Sequence, residues 1–119
     1  MTKPEITGHR DLFFSGWIRK NLPDSNTGYM VTDLDFILSN YKTKKIMLLE
    51  IKSRNRILPT WQAKLFKRID LWLKKGIYED WQYLGFHTII FENTNFTDGR
   101  VFFDGKAITE QELIQQLSF

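Results

Sequence analysis

At 119 residues, with 42% hydrophobic and 26% charged positions, the chain has the length and balance of a single soluble globular domain. It has no cysteine, which excludes a disulfide framework and a thiolate zinc site, and its net charge of +3 with a pI of about 9.2 tilts only slightly towards a polyanionic partner. The longest strongly apolar run, Ile46 to Leu49, is far too short to span a bilayer, and no basic-then-apolar leader is seen, so a cytoplasmic protein with no membrane partner is expected.

Met1 to Gly8 reads as a loose lead-in, and His9 to Asn21 as a first helix, with Leu12, Phe13, Phe14, Trp17 and Ile18 forming an apolar face. The turn-rich run from Asn21 to Gly28 ends it. Tyr29 to Leu38 predicts a strand interrupted by Asp33 and Asp35. Ser39 to Lys45 is a polar turn, and Ile46 to Ser53 a second strand, apolar on both faces at its start as at a sheet's centre. So short a turn favours an antiparallel hairpin. Pro59 to Lys75 predicts a helix, capped by Thr60 and stopped by Gly76, with Trp61, Leu65, Ile69, Trp72 and Leu73 as its core face. Leu84 to Glu92 is a third strand and Arg100 to Phe103 a short fourth. Thr109 to Leu117 closes the chain as a helix with a capping box, Thr109 at the cap and Glu112 three residues on. The order helix, strand, strand, helix, strand, strand, helix describes an α/β domain over residues 1–119, with a mixed sheet of about four strands flanked by helices.

The chemistry-bearing residues cluster in Thr32-Asp33-Leu34-Asp35 and Leu49-Glu50-Ile51-Lys52-Ser53-Arg54. Strand alternation puts Asp33 and Asp35 on one face, and Glu50 and Lys52 on one face. A hairpin centred near Lys42 and Thr43 sets Asp35 opposite Glu50 and Asp33 opposite Lys52. Carboxylates held this close repel each other, and burial makes their charge more expensive. A divalent cation removes that penalty, and Mg2+ favours one or two carboxylates completed by water and substrate phosphate.

Asp, an apolar strand, then Glu-x-Lys fifteen residues on resembles the PD-(D/E)XK phosphodiesterase superfamily, which includes restriction endonucleases, archaeal Holliday-junction resolvases and RecB-type nuclease domains. The resemblance covers Tyr29 to Arg54 and extends loosely from His9 to Phe91. It implies a restriction endonuclease-like core and a Mg2+- or Mn2+-dependent nuclease. Asp35, Glu50 and the Ile51 carbonyl would hold the metal, with Asp33 as an extra acid. Lys52 would assist the attacking water, and Gln62, early in the following helix, would support the site. The pattern's first-helix acid has no match among Glu5, His9 and Asp11, which leaves the number of metal ions open.

DNA is the expected partner, met by Arg54 and Arg56 just past Lys52 and by Lys42 and Lys44 in the hairpin turn. The small size suits a structure-directed, resolvase-like enzyme working as a homodimer, of the kind often borne by phages or mobile elements. The alternative is a nuclease fold kept as a catalytically inactive nucleic-acid or protein binding module, such as a phage accessory factor. Without chemistry, Asp33 and Asp35 are polar strand-edge residues, and Glu50 with Lys52 a surface pair worth little. Trp61 and Trp72 are expected in the core, Trp81 and Tyr83 fit either core or stacking, and His87 is expected as a packed histidine.

Overall fold

A computed structural model of the chain describes residues 12–119. The lead-in, Glu5, His9 and Asp11 lie outside them. The chain divides into two compact units, residues 1–32 and 33–119. In the first, α1 spans Leu12–Asn21 and a single 3-10 turn spans Ser25–Thr27. The Asn21 side-chain Nδ2 donates to the carbonyl of Trp17 at 2.9 Å, and Gly28, at φ 93°, closes the turn in the left-handed region that glycine tolerates. Phe14 and Trp17 stack with ring centroids 5.5 Å apart.

The second unit is a five-stranded sheet with two helices. Its strands are β1 (Phe36–Asn40), β2 (Lys45–Lys52), β3 (Gln82–Phe91), β4 (Val101–Phe103) and β5 (Lys106–Ile108), and its helices are α2 (Thr60–Gly76) and α3 (Glu110–Leu117). The strands lie side by side in chain order. β1 and β2 form an antiparallel hairpin, β2 and β3 run parallel with α2 as the crossover, and β4 and β5 continue antiparallel. Five strands correct the expected count of about four. β5 is only three residues long, between the Asp104-Gly105 turn and the cap of α3, too short for an alternation signal.

Alternation along β2 sorts its side chains. Met47, Leu49 and Ile51 point to one face, and Leu48, Glu50 and Lys52 to the other. On the first face Leu49, Ile89, Val101 and Leu113 form the buried cluster under α3, where each well-buried large side chain contributes about 1.5–3 kcal/mol. Thr109 caps α3 with a reciprocal capping box to Glu112, as expected. On the second face α2 lies over the parallel pair, with the ring of Phe66 5.0 Å from that of Phe86.

The orientation of α2 corrects two expectations. Its buried residues are Gln62 and Phe66, whereas Trp61 is 40% and Trp72 62% exposed. Asp70, a polar residue, takes a sheet-facing position because it finds partners there. It accepts from the Tyr83 hydroxyl at 2.7 Å and from the Phe86 amide at 3.0 Å. Pro59, not Thr60, occupies the cap position, with no side-chain hydrogen bond. Among the described residues no helix is long and apolar enough to cross a membrane.

Candidate active site at the carboxylate pair

The β1–β2 turn fixes the geometry. The Asn40 side-chain oxygen accepts from the backbone amides of Lys42 at 2.9 Å and Thr43 at 3.2 Å, and Lys44 takes a left-handed backbone, φ 57°. The resulting ladder pairs Asn40 with Lys45 and Phe36 with Leu49, and its next step sets Asp35 against Glu50. There the two acids bind each other's strand. The amide of Asp35 donates to Glu50 Oε1 at 3.2 Å, and the amide of Ile51 donates to Asp35 Oδ2 at 2.8 Å. The hairpin thus clamps both carboxyl groups where its ladder ends.

The two acids differ in surroundings. Glu50 is 2% exposed, while Asp35 is open to solvent. Burial pushes the Glu50 carboxyl up from 4.5 to about 7, reinforced by the Asp35 carboxyl hydrogen-bonded beside it and only partly offset by the Asp35 amide and the Lys52 ammonium. Near neutrality Glu50 is therefore poised between a shared proton and a charge with too little positive compensation.

Lys52 lies two residues on, on the same face, half-buried. Beside Glu50 in the parallel ladder stands Thr88, on that face too; sequence reasoning missed it because parallel pairing across the α2 crossover leaves no local signal. Gln62 is 7% exposed. Four residues of helix advance about 6 Å, the span of about two strand residues. Because Phe66 sits at Phe86, Gln62 one turn earlier comes level with Thr88 and Glu50.

Past β2 the backbone is pinned. Arg54 and Asn55 both take left-handed conformations, each at φ 55°, and their amides donate to the carbonyls of Asn93 at 2.7 Å and Phe91 at 3.0 Å. For non-glycine residues such backbone costs about 1 kcal/mol or more each, held here by the end of β3. Arg54 and Arg56 are exposed at the same end of β2 as the carboxylates. Lys42 and Lys44 are exposed in the turn at the far end, beyond Lys45, which is itself five strand residues or roughly 17 Å from Glu50, so the structure separates them from the two arginines. Asp33 is exposed and precedes β1, whose ladder with β2 begins at Phe36.

Among the described residues no group of three or more His, Cys, Asp or Glu side chains is arranged to hold a metal ion. The pair of Asp35 and Glu50 supplies two oxygen donors of the hard kind, one carrying a destabilised buried charge. That fits a divalent cation completed by a backbone carbonyl and waters, and does not fit an ion needing an all-protein cage. Comparison of the chain with protein-family models, with curated proteins and with solved structures found no match.

Proposed function

We propose that the protein is a Mg2+- or Mn2+-dependent phosphodiesterase of restriction endonuclease-like fold that hydrolyses nucleic acid, with DNA as the favoured substrate. The observation that carries this reading is the clamped carboxylate pair, with a buried Glu50 held near neutrality in its proton affinity at the end of a central strand. Asp35 and Glu50 would hold the cation, with the Ile51 carbonyl next to them. The cation supplies positive charge that polarises a phosphodiester and acidifies water. Lys52, on the face of Glu50, holds a proton at Nζ and sets positive charge where negative charge develops on phosphorus-bound oxygens. Gln62 orients polar groups under the pair, and Arg54 and Arg56 meet backbone phosphates on the exposed side.

A cleavage panel tests this: supercoiled and linear duplex, single strand, junction and RNA, each with Mg2+ or Mn2+. The parent is expected to cleave at least one form, and Asp35→Asn, Glu50→Gln and Lys52→Ala each to lose cleavage while keeping the parent's circular dichroism. A parent that binds no Mn2+ and cleaves no form would favour the inactive binding module and overturn the proposal.

A further inference from the structure

The outward side of α2 carries charge of one sign. Among the 17 residues of the helix only Asp70 is acidic. Asp70 is turned to the sheet and is already met by the Tyr83 hydroxyl, the Phe86 amide and, at 3.0 Å, the Lys74 ammonium. At about 100° per residue, Trp61, Lys64, Arg68, Trp72 and Lys75 fall within roughly 80° of one another, on the side turned away from the buried Gln62 and Phe66. Lys67 flanks them. All are exposed, Trp61 by 40% and Trp72 by 62%. Among the described residues none of Lys64, Lys67, Arg68 and Lys75 has an ion-pair partner.

Helix stability does not account for this pattern. Lys64 and Arg68 stand one turn apart with no acid beside them, and like charges at that spacing repel. A polyanion removes that cost, because its phosphates release their counterions when the cations meet them. An anionic bilayer fits poorly. It needs an apolar helix face to sink into it, and here that face, with Phe66, is buried against the sheet. Exposed indoles set between cations fit nucleic acid, whose bases stack on the rings while the cations meet its phosphates.

We propose that the outward side of α2 is a nucleic-acid track, with Lys64, Arg68 and Lys75 on the phosphates and Trp61 and Trp72 against the bases. The inference rests on the phosphodiesterase reading for its substrate class, and adds where that substrate lies on the protein. α2 starts where β2 has ended and stops before β3 begins at the Lys45–Gln82 pair. From Trp61 to Lys75 the stripe is about 21 Å long. It leads from the end of the sheet that holds the carboxylates, Arg54 and Arg56 towards the end that holds Lys42 and Lys44.

Anisotropy of a labelled oligodeoxythymidylate over a range of salt, in EDTA so that nothing is cut, tests it. The parent binds, and Lys64→Gln, Arg68→Gln and Lys75→Gln each lower the slope of log affinity on log salt by about 0.7. Lys106→Gln removes an exposed charge on β5, away from the helix, and keeps the parent's slope. Trp72→Ala weakens binding by roughly 5-fold to 150-fold, with the circular dichroism unchanged. No binding by the parent, the parent's slope in all three α2 charge variants, or a slope lowered as much by Lys106→Gln would overturn the proposal. So would co-sedimentation with phosphatidylglycerol vesicles that the α2 variants lose while the oligonucleotide stays unbound. If the parent cleaves nucleic acid with Mg2+ or Mn2+ and the α2 variants bind as it does, the track falls and the phosphodiesterase assignment stands. If the parent binds through α2 and cleaves no form, the track stands and that assignment falls.

Discussion

Replacing Glu50 by glutamine should make the protein more stable at alkaline pH and leave it nearly unchanged in acid. In the unfolded chain Glu50 titrates near 4.5, and in the fold near 7. Below 4.5 both states carry the proton and the residue takes nothing from stability. Between 4.5 and 7 the folded state still holds a proton that the unfolded state has released, so stability falls as pH rises, and levels off above 7. At about 1.4 kcal/mol per pH unit of difference, the full loss is about 3 kcal/mol. The glutamine side chain keeps the shape, can accept from the Asp35 amide and can donate to the Asp35 carboxylate, without the buried charge. Asp70 and Asp104 are held below the ordinary carboxylate range by their hydrogen-bond partners and contribute with the opposite sign, so the difference between parent and variant is the quantity to measure. Urea unfolding followed by tryptophan fluorescence, without divalent cations, at several pH values from acid to alkaline, supplies it. The expected difference is near zero in acid and grows towards about 3 kcal/mol above pH 7, equivalent to a melting rise of roughly 10 to 20 °C. A variant no more stable than the parent at alkaline pH, or a difference flat with pH, would refute the account of Glu50 as a strained buried acid.

Phe66→Ala should cost about 3–5 kcal/mol in unfolding free energy, because it empties the contact with Phe86 that seats α2 on the sheet; a loss under about 1 kcal/mol would put the helix elsewhere. His87 has one ring nitrogen 2.5 Å from Asp104 and the other 2.7 Å from the Leu84 carbonyl, and only the imidazolium donates to both. The Asp104 hydrogen bond raises its pKa above 6.5, so its stabilisation is complete below 6.5 and fades as pH rises through the folded value; imidazole NMR shifts titrating below 6.5 would contradict this. Thr109→Ala should remove the cap of α3 and cost about 0.5–2 kcal/mol, read by thermal unfolding, whereas Thr109→Ser should restore most of it.

The hairpin register was legible in the sequence because a turn centre and a period of two fix every pair at once. Asp35 against Glu50 follows from Lys42 and Thr43 alone. The capping box of α3 is equally local, since Thr109 and Glu112 satisfy each other. What failed depends on distant partners. Tyr29 to Leu34 has the letters of a strand, but the ladder starts only at Phe36; in that register residues 29–32 would fall opposite positions past Lys52, where β2 has ended. Apolar spacing turned α2 towards Trp61 and Trp72. The sheet selects Gln62, Phe66 and Asp70 instead, because Tyr83 and the Phe86 amide supply Asp70 with partners that no pattern of hydrophobic letters encodes. The same non-locality hid Thr88 beside Glu50 and left Trp61 and Trp72 in solvent.

Calorimetric titration of the parent and Glu50→Gln with Mn2+, in buffers of different ionisation enthalpy, asks most directly whether Asp35 and Glu50 form a cation site. One bound ion per parent chain is expected, with release of about half a proton near pH 7 falling towards none in alkaline buffer, and no binding to the variant. An ion that binds the variant as tightly as the parent, or a parent that binds none, would contradict it.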